Sequence, residues 1–304
     1  MNVAKNYIYL PFLLFYLCQH TSSLLYSQSL NKKEIKKFQT YEGEMIALAD
    51  SLLHSKKDTV RRNAAHLLVR KLVTSLKLNN SYLYPFDSLS KLISIIRAPD
   101  DSFRIFTWYW IRDNGFMRHY GCFQRNNPDK LELYPLFDNS DFLPDPECTT
   151  TGKEGWYGAL YFQIIKKTST KERTRYVLLG WDGNDFYSNK KVIDVAKFEP
   201  VYKSQKKVKD TLVLGGPFFE VYGELKNRVI LEYKKDAPMS LHYQSKEDMI
   251  IFSHLAPPSV DGFQPEDLIL FEGFMMLPDG TFDGLYFDDG IWRTKENIDV
   301  GNSK

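Results

Sequence analysis

With 304 residues, 43% hydrophobic and 26% charged, the chain can build a full apolar core, which excludes disorder along its whole length. Its 40 basic and 38 acidic side chains leave a formal charge of +2, and no basic cluster is dense enough to mark a nucleic-acid binder. The 19 Tyr and 21 Phe stand out, and such side chains favour half-buried pleated surfaces, so they point first to β structure and only second to ligand stacking.

Lys5 is the only Lys, Arg, Asp or Glu before Lys32, and Tyr7 to Leu17 follows it as an apolar core. That core suits a secretory signal and is shorter than the roughly 20 residues of a membrane-spanning helix. Residues 1–27 are therefore expected to be a signal peptide, cut between Ser27 and Gln28, and the mature protein is expected to be periplasmic or secreted without a transmembrane span. Lipoprotein anchoring at Cys18 is disfavoured, because Leu17 stands where that processing needs a small residue. Removal of Cys18 leaves Cys122 and Cys148. In an oxidising compartment these two can form a disulfide, whereas Cys122 also reads as a small buried hydrophobe.

Residues 28–97 read as a helical segment that packs on a β domain. Ile35, Phe38, Met45, Leu48 and Leu52 fall on one helical face, and Asp58 is an expected N-cap. Val60, Ala64, Leu67, Leu68, Leu72 and Leu76 form a second stripe, and Pro85 to Ile93 suggests a short third helix. From residue 98 to 304 the period changes to two, and an antiparallel β domain is expected. Expected strands run through Phe103–Ile111, Phe116–Phe123, Leu131–Phe137, Trp156–Lys166 and Arg175–Trp181. Shorter runs follow at Lys191–Val195, Thr211–Leu214, Phe218–Tyr222, Arg228–Tyr233, Ser240–Tyr243 and Met249–His254. Leu268–Leu277 and Thr281–Phe287 read as a hairpin turning at Pro278-Asp279-Gly280, before a last run at Ile291–Arg293. The lysine-rich stretch Lys203–Lys209 reads as a solvated loop. The fold class is α+β, with a short helical segment before a mainly antiparallel sandwich or barrel-like domain. A small propeller is the rival, although no fixed-period repeat counts its blades.

Candidate chemistry is sparse. His119, His242 and His254, with Asp113, Glu272, Asp288 and Asp289, are the titratable residues near turns, and Asp283, Asp288 and Asp289 form an acidic cluster that could hold a calcium ion weakly. His242 and His254 lie in successive strands and could meet as an acid–base or metal pair. The turns Trp181 to Asp185 and Pro278 to Gly284 are rich in Asp and Gly but lack the spacing of a calcium loop. No nucleophile-elbow, zinc-protease or phosphate-loop motif is present, so no catalytic residue, metal ligand or cofactor is assigned. Trp108 and Trp110 share a strand face, either as core or as a stacking platform, and Trp156, Trp181 and Trp292 complete the tryptophans.

Four segments carry a resemblance: Tyr84 to Leu89, Ala98 to Trp108, Trp156 to Tyr161, and Val177 to Asn184. They resemble a group of uncharacterised exported proteins of the Bacteroidetes. The resemblance implies export and supplies no chemistry, because its motifs are aromatic and turn-like. The expected function is an exported binding or interaction module of the cell envelope, with an envelope protein or glycan as partner. The alternative is a hydrolase acting on envelope or extracellular polymer through carboxylate and histidine catalysis.

Overall fold

The structure is a computed structural model that describes residues 30–168, 174–258 and 276–299. The expected signal with Cys18, Glu272, and most of the expected strand over 268–277 lie outside the described residues.

Helix α1 (Lys32–His54) starts with a reciprocal cap. The Glu34 amide donates to Asn31 Oδ1 at 2.9 Å, and the Asn31 amide donates to Glu34 Oε2 at 2.9 Å. Its buried face is Phe38, Glu42, Met45, Ala49 and Leu52, alternating steps of four and three. Helix α2 (Asp58–Leu76) packs against it through Ala64, Ala65, Leu68, Leu72 and Leu76. Two sequence expectations shift here. Lys57, not Asp58, caps α2, and Asp58 instead accepts the Trp110 indole N–H at 2.8 Å. Val60 and Leu67 are exposed, because α1 covers only the Ala65–Leu68–Leu72 side of α2.

Strand β1 (Ser94–Arg97) follows directly, where the helical reading had run on through Ile93. Only the single 3-10 turn Leu89–Lys91 of the expected third helix forms. With β2 (Phe103–Ile111), β3 (Met117–Arg125) and β4 (Leu133–Phe137) it makes an antiparallel meander, the first sheet. Phe106, Trp108 and Cys122 of this sheet bury against the helices, while Phe103, Ile105 and Phe123 bury on the opposite face. Arg104 breaks the apolar pattern of β2, yet it is fully buried. Its guanidinium donates to the carbonyls of Tyr84 (2.6 Å) and Ser81 (2.8 Å) and to Gln124 Oε1 (2.8 Å). These bonds tie the turn after α2 to the sheet.

The second sheet contains β5 (Thr151–Gly152), β6 (Leu160–Lys167), β7 (Arg175–Asp182), β8 (Ser188–Lys203) and β9 (Lys206–Leu214), ordered β5-β9-β8-β7-β6. The Lys203–Lys209 stretch is therefore a hairpin, not a loop. Ser204 and Gln205 both take positive φ (45° and 64°), the geometry that matches a two-residue turn to strand twist. The third sheet is ordered β11-β10-β16-β15-β14-β13. It is built from β10 (Phe219–Val221), β11 (Glu224–Lys226), β13 (Leu241–Gln244), β14 (Met249–Ala256), β15 (Leu277–Asp288) and β16 (Ile291–Lys295). Strand β12 (Val229–Lys234) joins the second sheet beside β8. Pro278-Asp279-Gly280 lies inside β15 and does not turn the chain back.

All strand pairings between named strands are antiparallel except β10 with β16, and among the described residues none of the sheets closes into a barrel. One apolar layer joins the first and second sheets, and another joins the second and third through Val177, Leu179, Phe252, Leu285 and Trp292. Between the first two layers of strands lies a buried polar link. Asp194 and Arg228, both without solvent exposure, pair at 2.8 Å, and Trp156 donates to the Tyr161 hydroxyl at 2.9 Å. Cys122 and Cys148 are not bonded to each other. Cys122 faces the helices from inside the core, whereas Cys148 is exposed in the loop before β5, where its carbonyl accepts from Asn227 at 2.8 Å.

Candidate functional site

The first sheet and α2 do not close on each other everywhere. Residues His66, Val69, Arg70 and Val73 follow i, i+3, i+4, i+7 spacing along the α2 flank away from α1. Opposite them stand the side chains of one face of the meander. Trp108 pairs in register with Tyr120, Tyr120 with Phe137, Cys122 with Pro135, and Gln124 with Leu133. The valines are short, Cys122 is small and β4 is an edge strand of five residues. The volume that large side chains would fill stays open as a cavity of about 460 Å³. That size lies within the range of small-ligand sites, roughly 300–1,000 Å³.

The wall is mainly apolar and aromatic. Trp108 and Tyr120 stack nearly parallel, with centroids 5.9 Å apart and 9° between planes, and His66 meets the Tyr120 ring edge-on at 6.3 Å. The Trp108 side chain is buried, and its indole N–H has no hydrogen-bond acceptor among the described residues. A buried donor of this kind is uncommon. Burial raises the Cys122 thiol to about 12, so it stays protonated and behaves as an apolar wall group at neutral pH.

Arg70 and Arg118 bring positive charge to the cavity lining. The Arg118 Nε lies 4.0 Å from Asp138 Oδ2, an ion-pair contact too long for a hydrogen bond. Asp138 is already engaged. It accepts the His119 amide at 2.8 Å, the Ser140 amide at 3.1 Å and the Ser140 hydroxyl. Although burial opposes its charge, these contacts with His119 and Ser140 hold the Asp138 carboxyl well below the ordinary range.

His119 points from β3 to the opposite side, between the first two sheets. It is buried, with Nδ1 3.7 Å from Asp138 and Nε2 3.5 Å from Asp182. Burial works against the imidazolium, but the two carboxylates outweigh it and raise the His119 value. Gly158 permits this packing, since a Cβ there would stand 2.7 Å from both Asp138 Cγ and His119 Nδ1.

The other sequence candidates separate. His254 meets Asp283 across β14 and β15, Nδ1 to Oδ2 at 2.6 Å, and the Tyr222 hydroxyl donates to the same carboxylate. Asp283 is buried and His254 about one-third exposed, so a fixed carboxylate orients a solvent-facing imidazole. His242 does not join it. It lies on β13 opposite Ile251 and its Nδ1 is 3.3 Å from the Ser240 hydroxyl. Asp113 pairs with Arg61 at 2.9 Å, Asp288 with Arg293 at 3.1 Å, and Asp289 sits at a positive-φ turn. Trp110 faces the helices beside Trp108, whereas Trp156 and Trp292 are fully buried. Among the described residues, no three His, Cys, Asp or Glu side chains come together as a metal site, and no helix is long and apolar enough to cross a membrane.

Sequence reading missed the cavity because its α2 stripe followed the face against α1. The retrievable signal was the second stripe at positions 66, 69, 70 and 73, with its mixture of valine and base. No family model matches the chain, no curated protein matches it, and no solved structure matches it.

Proposed function

We propose that this chain is an exported binding module that holds a small apolar ligand between α2 and the β3–β4 face. The observation that carries this reading is the cavity of about 460 Å³, lined by Val69, Val73, Trp108 and Tyr120. A concave, mainly apolar wall of this size with a few polar groups at its edge has the form of a small-ligand site. Export is supported by the charge-poor apolar run at Tyr7–Leu17 and by the resemblance to uncharacterised exported proteins of the Bacteroidetes. N-terminal sequencing of the recovered protein tests it. A start near Gln28 is expected, and an intact Met1 in the cytoplasmic fraction refutes export.

The binding reading is tested by filling the cavity. Val69→Trp places an indole in the open volume from a half-buried position on α2, so the fold is expected to survive. Titration of wild type with 1-anilinonaphthalene-8-sulfonate should give saturable fluorescence at one site, and the variant should lose it. Equal saturable binding by both proteins would remove the cavity from consideration.

A second reading, hydrolysis, is favoured by the His254–Asp283 pair alone. Asp283 holds Nδ1 and leaves Nε2 directed away from the carboxylate as the free basic nitrogen, the arrangement of a general base. Its test is turnover of activated esters or glycosides by wild type and by His254→Gln. Equal rates in the two proteins would end it.

A further inference from the structure

We propose that the ligand is an amphiphile with one anionic head, its apolar body between α2 and β3–β4 and its head at Arg70 and Arg118. This rests on the cavity being the binding site, and it adds the chemistry that the cavity selects.

The charge at the lining motivates it. Arg70 comes from α2 and Arg118 from β3, so a basic residue lines the same space from each of two opposite walls. No ion pair involves the Arg70 side chain among the described residues, and Arg118 has only Asp138 at 4.0 Å. Asp138 also lines the cavity and offsets one of these charges, but its two oxygens already serve the His119 and Ser140 amides and the Ser140 hydroxyl, so one positive charge of the arginine pair stays uncompensated by it. Two planar donors with unused N–H groups match a carboxylate, sulfonate or phosphate oxygen pair, and they repel a cationic head. Below the lining charges the wall turns apolar through Val69, Val73, Leu133 and the stacked Trp108 and Tyr120.

Size and polarity narrow the body. An engineered cavity of about 150 Å³ takes one benzene ring. A cavity of about 460 Å³ therefore accepts a medium alkyl chain or two to three fused rings, and not a polymer.

The experiment compares decanoate with decan-1-ol, the same chain without the charge, by calorimetry on the mature wild-type chain, Arg70→Gln and Arg118→Gln. Arg70 is exposed and Arg118 partly exposed, so both variants are expected to fold, which their urea midpoints would report. Expected are decanoate binding at least about tenfold tighter than decanol, and a roughly tenfold loss for decanoate in each variant with decanol unchanged. Affinity for decanoate should also fall as salt rises. If decanoate and decanol bind alike and the arginine variants change neither, the anionic head is refuted while the cavity reading stands. If neither binds and decyltrimethylammonium binds instead, the head has the wrong sign and the proposal falls. If none of the three binds to wild type, the binding reading itself fails, and this inference falls with it.

Discussion

Replacing Arg104 by Met removes the charged clamp that holds the turn after α2 to the first sheet while keeping an apolar stem of similar length. The guanidinium is fully buried and lies 4.8 Å from the Phe106 ring centroid and 5.1 Å from that of Phe86. Burial, followed by repulsion from Arg97, lowers its value to about 9, so it remains charged at neutral pH. Methionine keeps much of the ring packing but leaves two acceptors without a donor, Gln124 Oε1 and the Tyr84 carbonyl, while the Ser81 carbonyl keeps only the Tyr84 amide at 3.3 Å. Each orphaned buried acceptor costs about 1–3 kcal/mol, and relief of the cost of burying a cation offsets part of the sum. The expected net loss is about 2–3 kcal/mol, read as a lower urea midpoint by tryptophan fluorescence. The double variant Arg104→Met with Gln124→Leu removes one orphan, though Ser81 Oγ loses the Gln124 amide it accepts and keeps only its own bond to the Leu76 carbonyl, and should recover about 1 kcal/mol. A loss below about 1 kcal/mol for the single variant would refute the clamp.

His119 gives a prediction in pH. Its folded value is raised, so its charged form stabilises the fold fully below the unfolded value of about 6.5, and that contribution disappears as pH rises through the folded value. Asp138 is depressed, so its contribution is present above about 3.9 and is lost as pH falls through the folded value. The urea-midpoint gap between wild type and His119→Asn should therefore be widest between about pH 4 and 6.5 and should narrow in alkali; a gap that widens from pH 6 to 9 would contradict the assignment. Gly158→Ala drives a methyl group to 2.7 Å from Asp138 Cγ and His119 Nδ1, and a loss of about 1–3 kcal/mol in chemical denaturation is expected. A neutral result would mean that this corner relaxes freely. Asp283→Asn replaces the buried carboxylate that Tyr222 and His254 share, and a loss of about 1–3 kcal/mol in chemical denaturation is expected; an unchanged urea midpoint would mean that the shared carboxylate adds nothing to the fold.

The strands that one face of a sheet buries were legible. Phe103–Ile111 and Met117–Arg125 carry aromatic and β-branched residues at period two around a Gly-containing turn, and they pair as their pattern implies. Strand β1 was missed because Leu89, Leu92 and Ile93 keep helical spacing up to its first residue, and its register against β2 is set by the partner strand. The Lys206–Lys209 part of β9 was missed because both its faces are exposed, which removes the alternation that reveals a strand. Arg104 is a harder case, since a charged residue in a strand reads as outward until the carbonyls of Ser81 and Tyr84 are known to lie opposite it. The meeting of His254 with Asp283 depends on register between strands joined by a long connection, whereas the separation of His242 from His254 is set by the short hairpin of β13 and β14, which pairs His242 with Ile251. The cavity is a shortage of side-chain volume between α2 and β3–β4. No single element's sequence pattern contains it.

The indole N–H resonances of a protein labelled with ¹⁵N-tryptophan test the cavity most directly. The chain has five tryptophans, of which Trp108 lines the cavity and Trp156 and Trp292 are buried in the layers beyond it. Addition of decanoate, or of another apolar anion that binds, should move the Trp108 signal in a saturable way and leave those of Trp156 and Trp292 in place. A ligand that binds while the Trp108 signal stays fixed would contradict the account, because it would then occupy some other part of the surface.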